Sequence, residues 1–228
     1  MAAVNFKDVV VLVPTLNEEQ GIAEVIDGFK KQGVSEIIVA DGGSSDKTRE
    51  IAKKCGAAVL AVPRGKGNGM RSCLSQVKID AQKIYVMIDG DASYSPSELP
   101  LLLEKIDSGA DVVIGRRHKL VHDFKSFVHV IGNLLISFAG SLFYFTWNPD
   151  ICTGYWIFTG TALQKIAPRL SAQRFELESD LFSTICRLGL KLKAVRVSYV
   201  ERKGDSKLAS LDSIPITFKL LENRFKSH

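Results

Sequence analysis

The sequence predicts an α/β fold, a mainly parallel sheet flanked by helices, with polar motifs gathered at one edge of the sheet. Three observations carry that expectation. Short, uniformly apolar runs such as "VVVLVP" (Val9–Pro14) have the composition of strands buried on both faces. They alternate with helical stretches through the first 115 residues, the pattern of parallel strands joined by crossover helices. Each polar motif of this half directly follows an apolar run, and ligands of such sheets lie beyond the carboxyl ends of the strands.

Taken in order, Val9–Pro14 leads through "TLNEE" into an amphipathic stretch, Glu19–Lys31. The next strand is "EIIVA" (Glu36–Ala40), followed by the loop "DGGSSD" and a helix that Asp46 opens as N-cap and that runs through Cys55. "AAVLAV" (Ala57–Val62) precedes the glycine-rich "PRGKGNG" and a helix ending near Ala81. "KIYVMI" (Lys83–Ile88) then runs into Asp89-Gly90-Asp91. Ser95, Pro96 and Glu98 have the spacing of a capping box, with Ser95 at N-cap and Pro96 at N1. "DVVIG" (Asp111–Gly115) is the last strand of this half, and a further strand is expected over Lys193–Val200.

The pattern changes after Arg117. From Ser126 to Tyr144 the chain is nearly all apolar, yet Ser126, His129, Asn133, Ser137, Gly140 and Tyr144 form a polar or small stripe at helical spacing. That stripe argues against a lone membrane span and leaves two readings, an amphipathic helix in a membrane interface or a core helix. Leu211, Ile214, Phe218, Leu221 and Phe225 repeat at 3,4,3,4 spacing beside Lys219, Arg224 and Lys226, a second amphipathic helix that packs on the domain or meets a membrane. We read 1–228 as one domain, with halves 1–117 and 118–210 and a C-terminal amphipathic helix over 211–228.

Composition narrows the function. Of 228 residues 46% are hydrophobic and 24% charged, ordinary for a globular domain. The net charge of +5 suits an anionic partner or an acidic membrane surface, but no basic block supports nucleic-acid binding. The four cysteines are scattered, without C-x-x-C, and are expected to be free thiols of a reducing compartment. The N-terminus lacks a basic n-region and enters a strand, so no signal peptide is expected. The oligomeric state is not legible.

Two carboxylates separated by one glycine repel unless positive charge lies between them. A hard divalent cation bound through Asp89 and Asp91, with phosphate oxygens completing its shell, removes that penalty, and Gly90 is expected to let the backbone turn around the ion. Asp41 also ends a strand, where it would accept hydrogen bonds from a nucleobase. Asn17 and Glu18 stand at the first strand end, suited to ribose hydroxyls. "RGKGNGMR" matches no phosphate-loop fingerprint, yet offers Lys66 and a helix N-terminus to an anion. Arg116 and Arg117 suit a diphosphate, as do Arg202, Lys203, Ser206 and Lys207 in the turn after the last strand. His118 and His122 lack a zinc pattern and are expected in solvent.

The ordered set "VLVPTLNEEQGI", "IIVADGGSSDKT", "RGKGNGMRSCL", "VMIDGDASYSPSEL" and "VVIGRR" resembles a family 2 glycosyltransferase of the GT-A fold. "DICTGYWIF" and "ERKGDSKL" narrow the resemblance to the dolichyl-phosphate mannose synthase-like branch, and it covers nearly the whole chain. It implies a sugar moved from a nucleotide-sugar donor (GDP-mannose, or a UDP-sugar such as UDP-GlcNAc or UDP-glucose) to dolichyl or polyprenyl phosphate. By resemblance Pro14, Glu18 and Asp41 hold the nucleoside, and Asp89 and Asp91 hold Mg²⁺ or Mn²⁺. Arg117, Arg202 and Lys207 grip phosphates, and Gly154 leaves space. The branch often carries a glutamine as a further metal ligand where this chain has Ser93, whose hydroxyl or a water would substitute. "FELESDLF" is more acidic than in mannose synthases and closer to archaeal-type relatives that use UDP-sugars.

The resemblance also implies an enzyme peripheral on the cytoplasmic face of a membrane, acting by single inverting displacement with the lipid phosphate as nucleophile. Glu176, Glu178 and Asp180 are base candidates if the acceptor is instead a sugar hydroxyl. A sugar-nucleotide nucleotidyltransferase fits less well, because the loop after the first strand is acidic. A silent nucleotide- or lipid-binding module would not need both aspartates, and a dinucleotide dehydrogenase lacks its fingerprint.

Overall fold

The computed structural model describes residues 5–118, 137–138, 140–144, 146, 150–203, 219–220 and 222–223. A seven-stranded sheet forms its centre: β1 (Val9–Thr15), β2 (Glu36–Asp41), β3 (Ala58–Ala61), β4 (Ile84–Ile88), β5 (Val112–His118), β6 (Tyr155–Thr159) and β7 (Leu192–Ser198), in the spatial order β3-β2-β1-β4-β6-β5-β7. Parallel pairing joins β1 to β2 and β4, β2 to β3, and β5 to β7. Strand β6 is inserted antiparallel between β4 and β5. The sequence motif "DICTGYWIF" therefore contains a central strand that the apolar pattern did not announce. An antiparallel strand entering after a long excursion has no crossover helix to mark it.

Helices cover both faces: α1 (Ile22–Lys31), α2 (Thr48–Lys54), α3 (Lys66–Gln76), α4 (Leu99–Asp107), α5 (Gly160–Ile166) and α6 (Leu177–Arg187). Alternate residues of one strand serve opposite layers. Val10 and Leu12 join Met70, Trp156, Leu163 and Leu181 on one side, while Val9, Val11 and Val13 join Ile22, Phe29, Leu99 and Leu102 on the other. That two-sided burial explains why β1 and β4 read as continuous apolar runs.

Several local expectations shift. Helix α3 ends at Gln76 instead of near Ala81: Val77 is extended, and the Tyr85 hydroxyl accepts from the Asp80 N–H at 2.7 Å, turning the chain into β4. The capping box at Ser95 does not form. Pro96–Glu98 is a 3-10 turn, Ser95 pairs with the Ser97 hydroxyl, and the Glu98 carboxylate accepts instead from the Ser198 N–H at 3.0 Å. Asp46 accepts from the Thr48 N–H at 3.0 Å, but from one residue ahead of the expected place: the N-cap position is Lys47. Strand β5 runs on to His118, and β7 stops at Ser198. All four cysteines are free thiols.

Of the apolar 126–144 stretch, the described part is helical at 137–138, 140 and 141–144. Ser137, Gly140, Ser141 and Tyr144 face the protein, whereas Phe138 and Leu142 are 57% and 59% exposed. The small and polar stripe is the packed face and the apolar side points outward. Ser126, His129 and Asn133, and most of 211–228, lie outside the described residues. Among those described, no helix is long and apolar enough to cross a membrane. Leu220 and Asn223 of the C-terminal stretch are buried, and the Asn223 amide donates to Asp180 and Ser183, each at 2.7 Å.

Trp156 is fully buried in β6 and donates its indole N–H to the Thr153 carbonyl at 2.7 Å. Trp156→Ala should lower the free energy of unfolding by about 3–5 kcal/mol, read from denaturant titration.

Candidate active site

The site is built at the carboxyl ends of β1, β2, β4 and β5, closed by the turn after β7 and by α6. Asp89 and Asp91 leave β4 between β1 and β6, where they cannot avoid each other. Gly90 is required there for space: a Cβ would lie 2.8 Å from Thr15 Cγ2. The residue of this loop with a left-handed backbone is Ala92, at φ 59°. Gly154 makes room for the first aspartate, since its Cβ would lie 1.9 Å from Asp89 Oδ2. The spacing in "DICTGY" thus becomes a physical requirement.

Each aspartate has its own cation. Lys66, the first residue of α3, donates from Nζ to Asp89 Oδ1 at 2.6 Å and to Glu178 Oε1 at 2.5 Å. Arg202 lies 3.6 Å from Asp91 Oδ2 through Nη1 and donates from Nη2 to both Glu18 oxygens, at 3.0 and 3.3 Å. Two triads result, Asp89–Lys66–Glu178 and Asp91–Arg202–Glu18. Burial works against the charged Lys66, but the two carboxylates outweigh it and hold its pKa above the ordinary lysine value. Burial pushes the Glu178 carboxyl up, with Lys66 opposing and Asp89 reinforcing. The Arg202 Nε–H is buried and makes no hydrogen bond among the described residues.

Ser93 is 2% exposed, and its hydroxyl donates to Asp91 Oδ1 at 2.6 Å, with the Ser93 N–H adding a second bond at 3.0 Å. It holds Asp91 in place. The aspartate loop is tied to the turn after β7: the Lys203 N–H donates to the Asp91 carbonyl, and the Val200 N–H to the Ser93 carbonyl, each at 3.0 Å. Tyr94 stacks edge-on with Tyr155 and Tyr199, and its hydroxyl accepts from the Gly154 N–H at 2.7 Å.

Arg117 points inward from β5. Its Nε and Nη2 donate to Asp150 at 2.8 and 2.6 Å, and its guanidinium lies 5.4 Å over the Tyr199 ring. Sequence reading missed Asp150; the only signal was an acid beside the "CTGY" motif. Arg116, the preceding residue on the strand, is exposed. At the β1 and β2 ends, Pro14 lies in β1, while Asn17 takes φ 54°, accepts from the Ser45 N–H at 2.8 Å and donates its own N–H to Ser44. Asp41 is buried and accepts from the Gly43 and Ser44 N–H groups at 3.2 and 3.1 Å. Of the acidic helix residues only Glu178 faces an aspartate of the pair. Asp180 accepts from the Ser171 and Ala172 N–H groups, and Glu176 from those of Gln173 and Arg174. Ser206, Lys207 and His122 lie outside the described residues.

Among the described residues no three His, Cys, Asp or Glu side chains cluster for a metal. The donors available are two carboxylates and a hydroxyl, all oxygen, which suits a hard divalent cation only if a ligand adds further oxygens. Gly154→Ala should displace Asp89 and cut metal-dependent turnover at least about 100-fold, checked as kcat/KM against added Mn²⁺.

Relatives share this architecture. The family model for glycosyl transferase family 2 matches residues 10–167. Glycosyltransferase AglJ of Haloferax volcanii is 31% identical over 224 residues, covering 96% of this chain and 73% of that protein. The dolichyl-phosphate hexose transferase of the same organism is 29% identical over 211 residues, covering 91% and 90%. Among solved structures, glucosyl-3-phosphoglycerate synthase from Mycobacterium tuberculosis, in complex with Mn²⁺, UDP-glucose and phosphoglyceric acid, superposes with a TM-score of 0.75 at 25% identity, covering 96% of this chain and 80% of that one. With a match over more than half its length and the mixed GT-A sheet, the chain belongs to glycosyl transferase family 2.

Proposed function

We propose that this glycosyltransferase moves a sugar, with inversion, from a nucleotide-diphospho-sugar to dolichyl or another polyprenyl phosphate at the cytoplasmic face of a membrane. The observation that carries this reading is the pairing of two aspartates with two phosphate-type cations in one site. Such a site accepts a diphosphate together with a divalent ion. The donor is a UDP-sugar or GDP-mannose; the UDP-glucose in the mycobacterial neighbour and the acidic "FELESDLF" segment favour the UDP-sugar. The name of the haloarchaeal hexose transferase supports a polyprenyl phosphate acceptor. The outward Phe138 and Leu142, one turn apart, support contact with a membrane surface.

Pro14, Asn17, Glu18 and Asp41 line the nucleoside end, where the left-handed Asn17 and the Asp41-braced loop shape the cradle. Asp89 and Asp91 are the metal ligands, Ser93 fixing or joining them. The ion, Mg²⁺ or Mn²⁺, supplies Lewis-acid stabilisation of the departing diphosphate when bound. With a diphosphate bound, Lys66 and Arg202 would supply the cations for its oxygens, the Arg202 Nε–H being a further donor. Arg117, oriented by Asp150, extends the positive wall; Ser206 and Lys207, outside the described residues, are further phosphate ligands by their motif alone. No protein base is needed, because a phosphate monoester has a second pKa near ~6 and is itself the nucleophile at neutral pH.

A hydroxyl acceptor is the second reading. It is favoured by Glu178, a buried carboxyl with a raised pKa beside Asp89, the condition of a general base. Product analysis separates the two: polyprenyl phosphate and radiolabelled UDP-sugars or GDP-mannose should yield an acid-labile lipid-linked sugar, and transfer only to sugar hydroxyls would overturn the proposal. Asp91→Ala should abolish that product, a loss of at least about 1000-fold in turnover. With a phosphate acceptor, kcat/KM should rise with pH up to about 6, as the monoester loses its second proton, and then level off.

A further inference from the structure

Lys66 does more here than wait for an anion. Its ammonium bridges Asp89 and Glu178 at 2.6 and 2.5 Å, and Arg202 stands in the same relation to Asp91 and Glu18. Every charge a cation would meet at the aspartate pair is therefore already met by the protein. An entering divalent ion meets Asp89 already paired through Oδ1 with Lys66 and competes with that ammonium for the carboxylate charge. Among the described residues no three carboxylates or histidines are grouped to hold the ion, and the carboxylate nearest Asp89, Glu178, is itself engaged by Lys66. A nucleoside diphosphate removes both obstacles at once. Its phosphate oxygens complete the coordination, and they give the released ammonium and guanidinium a new anionic partner.

We propose that Lys66 is a resident counter-ion that competes with the divalent metal for Asp89, so that the metal binds together with the nucleoside diphosphate and not before it. This rests on the functional reading above, with Asp89 and Asp91 as metal ligands. The same ammonium has two stations, Asp89 in the metal-free protein and a phosphate oxygen in the loaded one, while Glu178 holds it at both. Glu178 is thereby a positioning residue: it keeps Lys66 within reach when Asp89 turns to the metal. Lys66 at the N-terminus of α3 is anchored for this short exchange, because Gly67 and Asn68 donate their N–H groups to the Arg174 and Gln173 carbonyls at 2.9 Å, fastening the helix start to the segment before α6.

The test is Mn²⁺ binding followed by the electron paramagnetic resonance of the free ion, without nucleotide and with UDP or GDP. The wild-type protein should bind Mn²⁺ weakly alone and far more tightly with the matching diphosphate, and by linkage Mn²⁺ should tighten the diphosphate by the same factor. Lys66→Met should bind Mn²⁺ alone at least about tenfold more tightly than wild type, since a like charge a few ångströms away is gone, and the gain from nucleotide should shrink. Unchanged or weaker binding by Lys66→Met overturns the proposal. Because that variant leaves two carboxylates facing each other, the pair Lys66→Met/Glu178→Gln and Glu178→Gln provides the same comparison on a neutral background; equal Mn²⁺ affinities there also overturn it. Asp91→Asn separates the two readings: Mn²⁺ uptake with nucleotide that survives this change overturns the functional reading itself, whereas a failure confined to the Lys66 variants leaves that reading standing.

Discussion

Two like charges at the mouth of a buried strand are the constraint on which this molecule depends. Asp89 and Asp91 emerge from the middle of the sheet, where water alone does not screen them fully, so the fold must bring positive charge to them. It does so from two distant parts of the chain. Lys66 arrives at the start of α3, and Arg202 arrives in the turn after β7. Each cation is in turn held by a glutamate, from α6 in one case and from the end of β1 in the other. The site is an alternating array of charge whose order is set by strand positions.

That array needs a rigid frame, because an ion pair a few ångströms out of place loses most of its value. The frame is steric and hydrogen-bonded. Gly154 yields the volume that the Asp89 carboxylate fills, Gly90 passes close to Thr15, and Ser93 fastens Asp91. Tyr94 links the loop to the residue before β6 through the Gly154 N–H and to the residue after β7 through Tyr199. The antiparallel strand β6 is what places Gly154 beside the end of β4, and the fully buried Trp156 anchors it. Structural and functional demands therefore converge on the short segment between Asp150 and Phe158.

Much of this was legible in the chain. Strands buried on both faces must be apolar throughout, so β1, β2, β4 and β5 stood out, and the parallel arrangement followed from their alternation with helices. The Asp89–Asp91 pair was recognisable because such a repulsion at a strand end calls for a positive partner. What stayed hidden involved partners remote in sequence. Strand β6 has no crossover helix to announce it. Asp150 carries no local sign of its partner Arg117, which lies 33 residues earlier in the chain. Glu178 was one of three acids on a helix, and only the packing of α6 turned it toward Lys66 while Asp180 turned to backbone N–H groups. The 126–144 stretch had the right periodicity but an ambiguous sense, and its described turn packs by the small, polar side.

The sequence by itself determined the strands buried on both faces and the helices between them in the first half, the family-like motif order and the chemistry of the residues at those strand ends, because periodicity and local composition report burial directly. Only the tertiary structure decided which cation meets which carboxylate. Lys66 had been read as a phosphate ligand, and in the folded chain it is first the partner of Asp89 and Glu178. Charge pairing acts over a few ångströms in space, and a spacing along the chain carries no record of it.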